Sequence, residues 1–240
     1  MGMNKLIDEN VILEIPDMIY DKALNGVPKV SCSVDELADD YLSKYPTRES
    51  AARHLIRYQL AKCGTSGFVA GLGGIVVLPV ALPANMTNVL YVQMRMAAAV
   101  AKIGGYDVRS DQVRTFIYVC MTGSGMSDIL KGAGIQFGHK FMMANIKRIP
   151  GAALTKINKA VGFRFLTKFG EKGLINLGKL VPVAGGIIGG ASDIITTKLI
   201  GRNAYKLFID GQLDSEEVIN ADEEFDDIVD IDPADITIEE

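Results

Sequence analysis

The chain is poor in the residues that bind metals or form disulfides. Its 240 residues include three cysteines, two histidines and no tryptophan. Cysteines that are odd in number and far apart make neither a disulfide framework nor a metal-ligand spacing, and the two histidines do not complete one. The sequence therefore predicts no metal, no cofactor and no disulfide, which suits a reducing cytoplasm. The residues concerned are Cys32, Cys63, Cys120, His54 and His139.

Signals for secretion and catalysis are also scarce. The N-terminus lacks the basic run and apolar core of a signal peptide, so secretion is not expected. GLGGI at 71–75 lacks the Lys-Ser/Thr pair of a phosphate-binding loop, and TGSGM at 122–126 does not match a nucleophile elbow. We therefore predict that the protein is not an enzyme. The least favoured alternative is an enzyme that uses Asp193 or Glu171 with an adjacent basic residue.

Charge is unevenly distributed along the chain. The net charge is −4, but residues 214–240 contain 13 acidic and no basic residues, and we call this segment the acidic tail. The rest of the chain therefore carries a surplus of nine positive charges. Residues 139–179 hold nine Lys or Arg against Glu171 alone, so this one segment supplies most of the surplus.

Helical patterns dominate, and we predict an all-α fold built as a single compact multi-helix domain. Ser33 and Glu36 have the spacing of a capping box, and only VILEI at 11–15 and the segment 229–240 alternate like strands. We predict three regions: an N-terminal extension at 1–45 that is peripheral and has one short helix, a helical domain at 46–213, and a flexible acidic tail. The predicted helices run from Ser33 to about Leu42, from Thr47 to Gly64, from Pro83 to Gly104, from Ser110 to Met121, and from about Gly185 to Phe208.

Two apolar segments are rich in glycine. GFVAGLGGIVVLPVALPA at 67–84 and VPVAGGIIGGASD at 181–193 place glycines at helical spacing, which lets another backbone approach closely. We favour a buried helical hairpin over shallow membrane insertion, and both over a true span. The uninterrupted piece at 65–78 would cover only about 21 Å as a helix at ~1.5 Å per residue. A hydrocarbon core is about 30 Å thick.

Four polar residues lie in or beside these apolar segments and are candidates for burial. We expect them to satisfy backbone groups or one another, with a polar pocket as the alternative. A buried Asp193 needs a cationic partner such as Arg95, Arg109 or Arg114, or a helix N-terminus. The four candidates are Asn85, Asn88, Gln93 and Asp193.

The basic segment is the main functional signal. In KINKAVGFRFLTKFGEKG at 156–173, phenylalanines alternate with basic residues, a mixture that suits a membrane surface where rings enter the headgroup layer. A core of phenylalanines beneath a solvated basic face fits the pattern equally well. Single-stranded nucleic acid fits less well, and we expect no nucleic acid partner. The predicted membrane- or ligand-binding residues are Lys140, Lys147, Arg148, Lys156, Lys159, Phe163, Arg164, Phe165, Lys168 and Lys172.

Three passages resemble the EcsC family, named after a protein encoded beside a bacterial ABC transporter. They begin at Gly67, Ile149 and Lys179 and read GFVAGLGGIVVLPVALPANMTNVLYVQMRM, IPGAALTKINKAVGFRFLTKFGEKG and KLVPVAGGIIGGASDIITTKLIG. The resemblance covers about residues 50–208 and leaves out the first 45 residues and the acidic tail. It implies a bacterial, mostly helical, membrane-associated protein and supplies no catalytic residues.

Together these features predict a non-enzymatic helical protein at the cytoplasmic face of the inner membrane. Its expected partner is an anionic phospholipid surface, and the resemblance adds a membrane transporter as a second partner. The alternative is a helical carrier for a lipid or another apolar small molecule, in which the glycine and asparagine segments line a cavity.

Overall fold

The computed structural model describes residues 9–64, 84–135, 146–169 and 185–211. Within these ranges the regular elements are helices. A single antiparallel bridge pairs Val27 with Ser31 in the loop that follows the first helix. The all-α fold is therefore confirmed. The α-helices are α1 (Glu9–Asn25), α2 (Val34–Lys44), α3 (Arg48–Gly64), α4 (Ala84–Ile103), α5 (Asp111–Cys120), α6 (Met126–Gly132), α7 (Gly151–Phe169) and α8 (Gly185–Tyr205); a 3-10 turn spans Gly123–Gly125 and a π-helical turn spans Lys206–Asp210.

Local capping signals set several of these boundaries. The Ser33 hydroxyl accepts from the Glu36 backbone N–H at 3.1 Å, and the Glu36 carboxylate accepts from the Ser33 N–H at 2.8 Å. This reciprocal pair is the predicted capping box. Ser110 caps α5 with a single bond, in which its hydroxyl accepts from the Val113 backbone N–H. The helix predicted to end at about Phe208 is α-helical as far as Tyr205. The π-helical turn then follows directly and extends to Asp210.

VILEI, whose pattern is strand-like, does not form a strand, because residues 11–15 belong to α1. Five residues are too few to separate a strand from a helical turn. The decisive pattern lies further along α1, where Ile19, Tyr20, Ala23 and Leu24 are all buried. Their spacing is helical, so this face packs against the body of the protein.

The described part of the N-terminal extension, residues 9–45, is not peripheral, and it contains two helices rather than one. Both α1 and α2 pack against α4. Val34 and Ala38 of α2 join the buried face of α1 in the main core. Residues 9–45 therefore form part of the body.

Helix α4 is the centre of the fold. Every residue from 87 to 101 is buried, and α1, α2, α3, α5 and α8 all contact this helix. A helix that is buried on all sides needs neighbours on all sides. The predicted run of Ala, Leu and Met from Pro83 to Gly104 corresponds to this central helix.

Contacts between side chains give the relative directions of α3, α4 and α8. Gln93 meets Thr197, and the Gly104 region meets Phe208, so α4 and α8 run parallel. Arg53 bonds to the Tyr205 hydroxyl and Ile56 lies beside Gly201, so α3 runs antiparallel to α8. The last residue of α3 and the first residues of α4 and α8 therefore lie at one end of this three-helix group.

Several predictions fall outside the described residues. They include the glycines at 67, 71 and 74, the strand-like segment 229–240 and the whole acidic tail. The backbone of Gly185, Gly186, Gly189 and Gly190 lies in the first two turns of α8.

Candidate functional site

Helix α7 is anchored by one apolar face. Ile157, Val161 and Phe165 are spaced four residues apart, and each is buried. Four residues make about one helical turn, so the three side chains form a single stripe. This stripe packs α7 against α1, α5 and α6.

The opposite face of α7 points to solvent and is basic. Lys156, Lys159 and Phe163 have the spacing i, i+3, i+7, which places them on one face, and Phe163 is 66% exposed. Lys147 and Arg148 are exposed in the turn that precedes α7. We call these five residues the α7 basic face.

No described acidic residue neutralises the four cations of the α7 basic face. Lys147, Arg148, Lys156 and Lys159 make no ion pair with any residue that the structure describes. Helix α7 itself contains no Asp or Glu. Like charges three residues apart disfavour a helix by about 0.2–0.5 kcal/mol. The cations of the α7 basic face therefore do not stabilise α7.

Arg164 has a different environment from these cations. Its guanidinium lies 3.3 Å from the Asp128 carboxylate of α6. It also occupies the position that a Cβ on Gly125 would take. Arg164 therefore docks α7 on α6 and its preceding turn, and we assign it to packing rather than to the α7 basic face.

The structure locates the remaining predicted binding residues as follows. Phe165 is only 4% exposed, so its prediction as a membrane- or ligand-binding residue is corrected: it belongs to the apolar stripe that faces the core. Lys168 lies in α7, but its side chain is outside the described residues, as are Lys140 and Lys172 altogether.

The predicted buried polar residues are in part explained by helix packing. Gln93 is buried on α4, and its Nε2 donates to the Thr197 hydroxyl of α8 at 2.9 Å. Asn88 is also buried on α4. This hydrogen bond between two packed helices is the structural role expected for a buried amide. The side chains of Asn85 and Asp193 lie outside the described residues, although both positions are helical.

The arginines suggested as partners of Asp193 all contact other groups. Arg95 is buried, and it donates to the Cys32 carbonyl and places Nη2 at 3.1 Å from the Cys32 sulfur. Arg109 pairs with Asp35 at 3.3 Å, which ties the turn after α4 to α2. Arg114 pairs with Asp111 at 2.6 Å and with Asp17 at 3.7 Å.

A tyrosine network that the sequence analysis missed fastens α1 to α5. The Tyr118 hydroxyl donates to Asp17 at 2.6 Å, and the Tyr20 hydroxyl donates to the Val108 carbonyl at 2.5 Å. The two rings meet edge to face. Burial raises the pKa of both tyrosines, and the Asp17 carboxylate raises that of Tyr118 further. Both hydroxyls therefore stay protonated and act as structural donors.

The described residues offer few other groups for chemistry. Cys120 is fully buried, and burial raises the pKa of its thiol, so it acts as a small core residue. His54 stacks on Tyr45, with the ring centres 3.9 Å apart. Among the described side chains, no three potential metal ligands lie together. None of the described helices combines the length and apolar character needed to cross a bilayer.

The fold and this surface define an all-α protein with one central helix and an outward basic helix. The model of the EcsC protein family matches residues 4–209, so the chain belongs to that family. The match includes residues 4–45, which lie outside the resemblance seen in the sequence, and it agrees with the packing of α1 and α2. No curated protein and no solved structure matches the chain.

Proposed function

We propose that this protein binds an anionic phospholipid surface through the α7 basic face and has no enzymatic activity. A single observation carries the proposal: two lysines share the outer face of a firmly anchored helix with an exposed phenylalanine, and two further cations are exposed in the turn before that helix. None of the four cations has an acidic partner among the described residues. The cations would meet lipid phosphates while the Phe163 ring enters the headgroup layer. We place this contact at the cytoplasmic face of the inner membrane, near a membrane transporter of the kind the family resemblance implies.

The expected binding is weak and reversible. Each basic residue near an anionic surface contributes about 1 kcal/mol, so the four cations together contribute roughly 4 kcal/mol. That free energy corresponds to a dissociation constant of about 1 mM before any apolar contribution. Partial burial of Phe163 adds up to about 2 kcal/mol. Salt screens exposed charges over a Debye length of about 8 Å at physiological ionic strength, so attachment should respond strongly to salt.

Charge reversal on α7 tests the proposal. The variant Lys156→Glu with Lys159→Glu should bind vesicles of mixed anionic and neutral phospholipid at least about tenfold more weakly, because it removes two attractions and adds two repulsions. Vesicle co-sedimentation at low and high salt measures this loss, which should shrink as salt is added.

The control is Lys29→Glu with Lys44→Glu, which makes the same change in net charge at two exposed positions outside the α7 basic face. Lys44 pairs with Asp40 at 3.0 Å, so this control also removes one ion pair. It should bind nearly as well as the unaltered protein. Equal weakening by both double variants would mean that net charge alone governs binding. Unchanged binding by the α7 variant would reject the surface.

The carrier alternative stays a prediction without a supporting contact. Its polar lining would include Gln93, whose amide is used between α4 and α8.

A further inference from the structure

The acidic tail of the same chain carries the charge opposite to that of the α7 basic face. The acidic tail contributes 13 carboxylates and no cation, whereas the rest of the chain carries the positive surplus. The described residues leave four cations of the face without acidic partners. Opposite charges at such density attract strongly at low ionic strength.

The chain is long enough for these two surfaces to meet. The described residues end at Gly211, and 29 residues follow. A chain of that length spans at most about 100 Å when extended. A compact body of about 210 residues has a radius of gyration of only about 17 Å. The length of the tail is therefore sufficient for it to dock on the α7 basic face.

The tail also carries apolar side chains between its acids. Phe225, Ile228, Val229 and Ile231 each lie within two residues of an aspartate or glutamate. The α7 basic face has the corresponding mixture, with Phe163 exposed among lysines. The acidic tail can therefore cover the Phe163 ring with its apolar side chains and pair the cations with its carboxylates at the same time.

We propose that the acidic tail docks on the α7 basic face and competes there with phospholipid headgroups. The docking stands independently of the membrane proposal, whereas the competition rests on it. Tethering gives a short linked segment an effective concentration in the millimolar range. This concentration is comparable to the dissociation constant of about 1 mM expected for the cations of this face on lipid. The tail therefore reduces binding to weakly anionic membranes and yields to strongly anionic ones.

Docking is tested by zero-length carbodiimide cross-linking of the full chain, which joins a lysine amine to a carboxylate in contact with it. Peptide mass spectrometry of the monomer fraction should show tail carboxylates joined to Lys147, Lys156 and Lys159. Yields should exceed those at the exposed control residues Lys29 and Lys44 by about fivefold, and should vanish in 1 M salt, where the Debye length is about 3 Å.

Three outcomes would overturn docking. They are an absence of tail cross-links at α7, equal yields at the two control lysines, and tail cross-links confined to dimers. Each would leave the membrane proposal to be judged by its own charge-reversal experiment.

Competition is tested on the full-length chain with the acidic residues of the tail replaced by Asn or Gln. This variant should bind weakly anionic vesicles about five- to tenfold more tightly, as expected when a tethered competitor is removed. The gain should disappear when Lys156→Glu and Lys159→Glu are added. If the cross-links form but vesicle binding does not increase, competition is rejected. If the cross-links form but no variant binds vesicles, docking stands and the proposed function fails.

Discussion

At the scale of single residues, two glycines allow helices to pack more closely than a side chain would permit. A Cβ on Gly201 of α8 would lie 2.8 Å from the Ile56 methyl of α3 and 3.4 Å from Met96 of α4. A Cβ on Gly125 would meet the Arg164 guanidinium. The first neighbour is a stiff, buried, β-branched side chain, whereas the second is the end of a flexible one. Only the first contact should strongly resist substitution.

We therefore predict that Gly201→Ala lowers the free energy of unfolding by about 1–2 kcal/mol, because overpacking outweighs the gain in helix propensity. Urea unfolding followed by circular dichroism measures this change. Gly151→Ala is the matched control, since a Cβ at Gly151 would have no neighbour within 4 Å. A stabilised Gly201→Ala variant would show that α3 and α8 have room for the extra methyl group.

Asp35 provides a prediction about pH. The Lys102 ammonium lies 2.5 Å from this carboxylate and, with Arg109, holds the pKa of Asp35 below its usual range. The pair favours the ionised carboxylate in the folded state. Its stabilisation is therefore complete above the ordinary Asp pKa of about 4 and is lost as pH falls through the lowered folded-state pKa.

The expected result is that Asp35→Asn lowers the free energy of unfolding at pH 7 by up to about 1 kcal/mol, a modest value because solvent screens partly exposed pairs. The difference from the unaltered protein should disappear below the lowered pKa. Urea titrations between pH 7 and pH 2 test this, with Asp39→Asn as an exposed control on the same helix. A difference that does not depend on pH would assign the effect to the shape of the side chain.

At the scale of elements, the sequence predicted helices better than it predicted their faces. The capping box before α2 and the glycines after α4 are local signals, and both boundaries are confirmed. Phe163 and Phe165 are separated by one residue, so composition could not tell which one faces outward. The spacing of Phe165 from Ile157 and Val161, four residues apart each time, was the local signal that could have assigned Phe165 to the buried face. The packing role of Arg164 was missed for a different reason: its partner Asp128 lies in another helix, so no local pattern indicates the pair.

Substitutions of the exposed Phe163 and the buried Phe165 should separate the effect of α7 on membrane binding from its effect on stability. Phe163→Ala should weaken vesicle binding by about three- to tenfold, because it removes a ring that can leave water. Its stability should change by no more than about 0.5 kcal/mol, as is usual for surface positions. Phe165→Leu should do the reverse, lowering the thermal midpoint through imperfect core packing while leaving binding intact. If Phe163→Ala binds normally, the ring does not enter the headgroup layer.

At the scale of the whole molecule, the central helix explains why the expected boundary near residue 45 does not exist. Hydrophobicity along α4 predicted a helix, but it could not show that five other helices would surround it. Two of the five are α1 and α2, so the N-terminal residues complete the cover over α4. The family match from residue 4 agrees with this arrangement.

This arrangement predicts that damage to α1 destabilises the entire body. Ala23 has no exposed surface, so Ala23→Asp places an unpaired carboxylate in the core. Such a change costs about 3–5 kcal/mol, and at ~2–4 °C per kcal/mol the thermal midpoint should fall by roughly 10 °C or more. Asn25→Asp adds the same carboxylate at an exposed position of α1 and should have a much smaller effect. A peripheral extension would instead leave the main unfolding transition in place after either substitution. Calorimetry of both variants separates the two arrangements, because α1 can affect the whole transition only if it folds with α4.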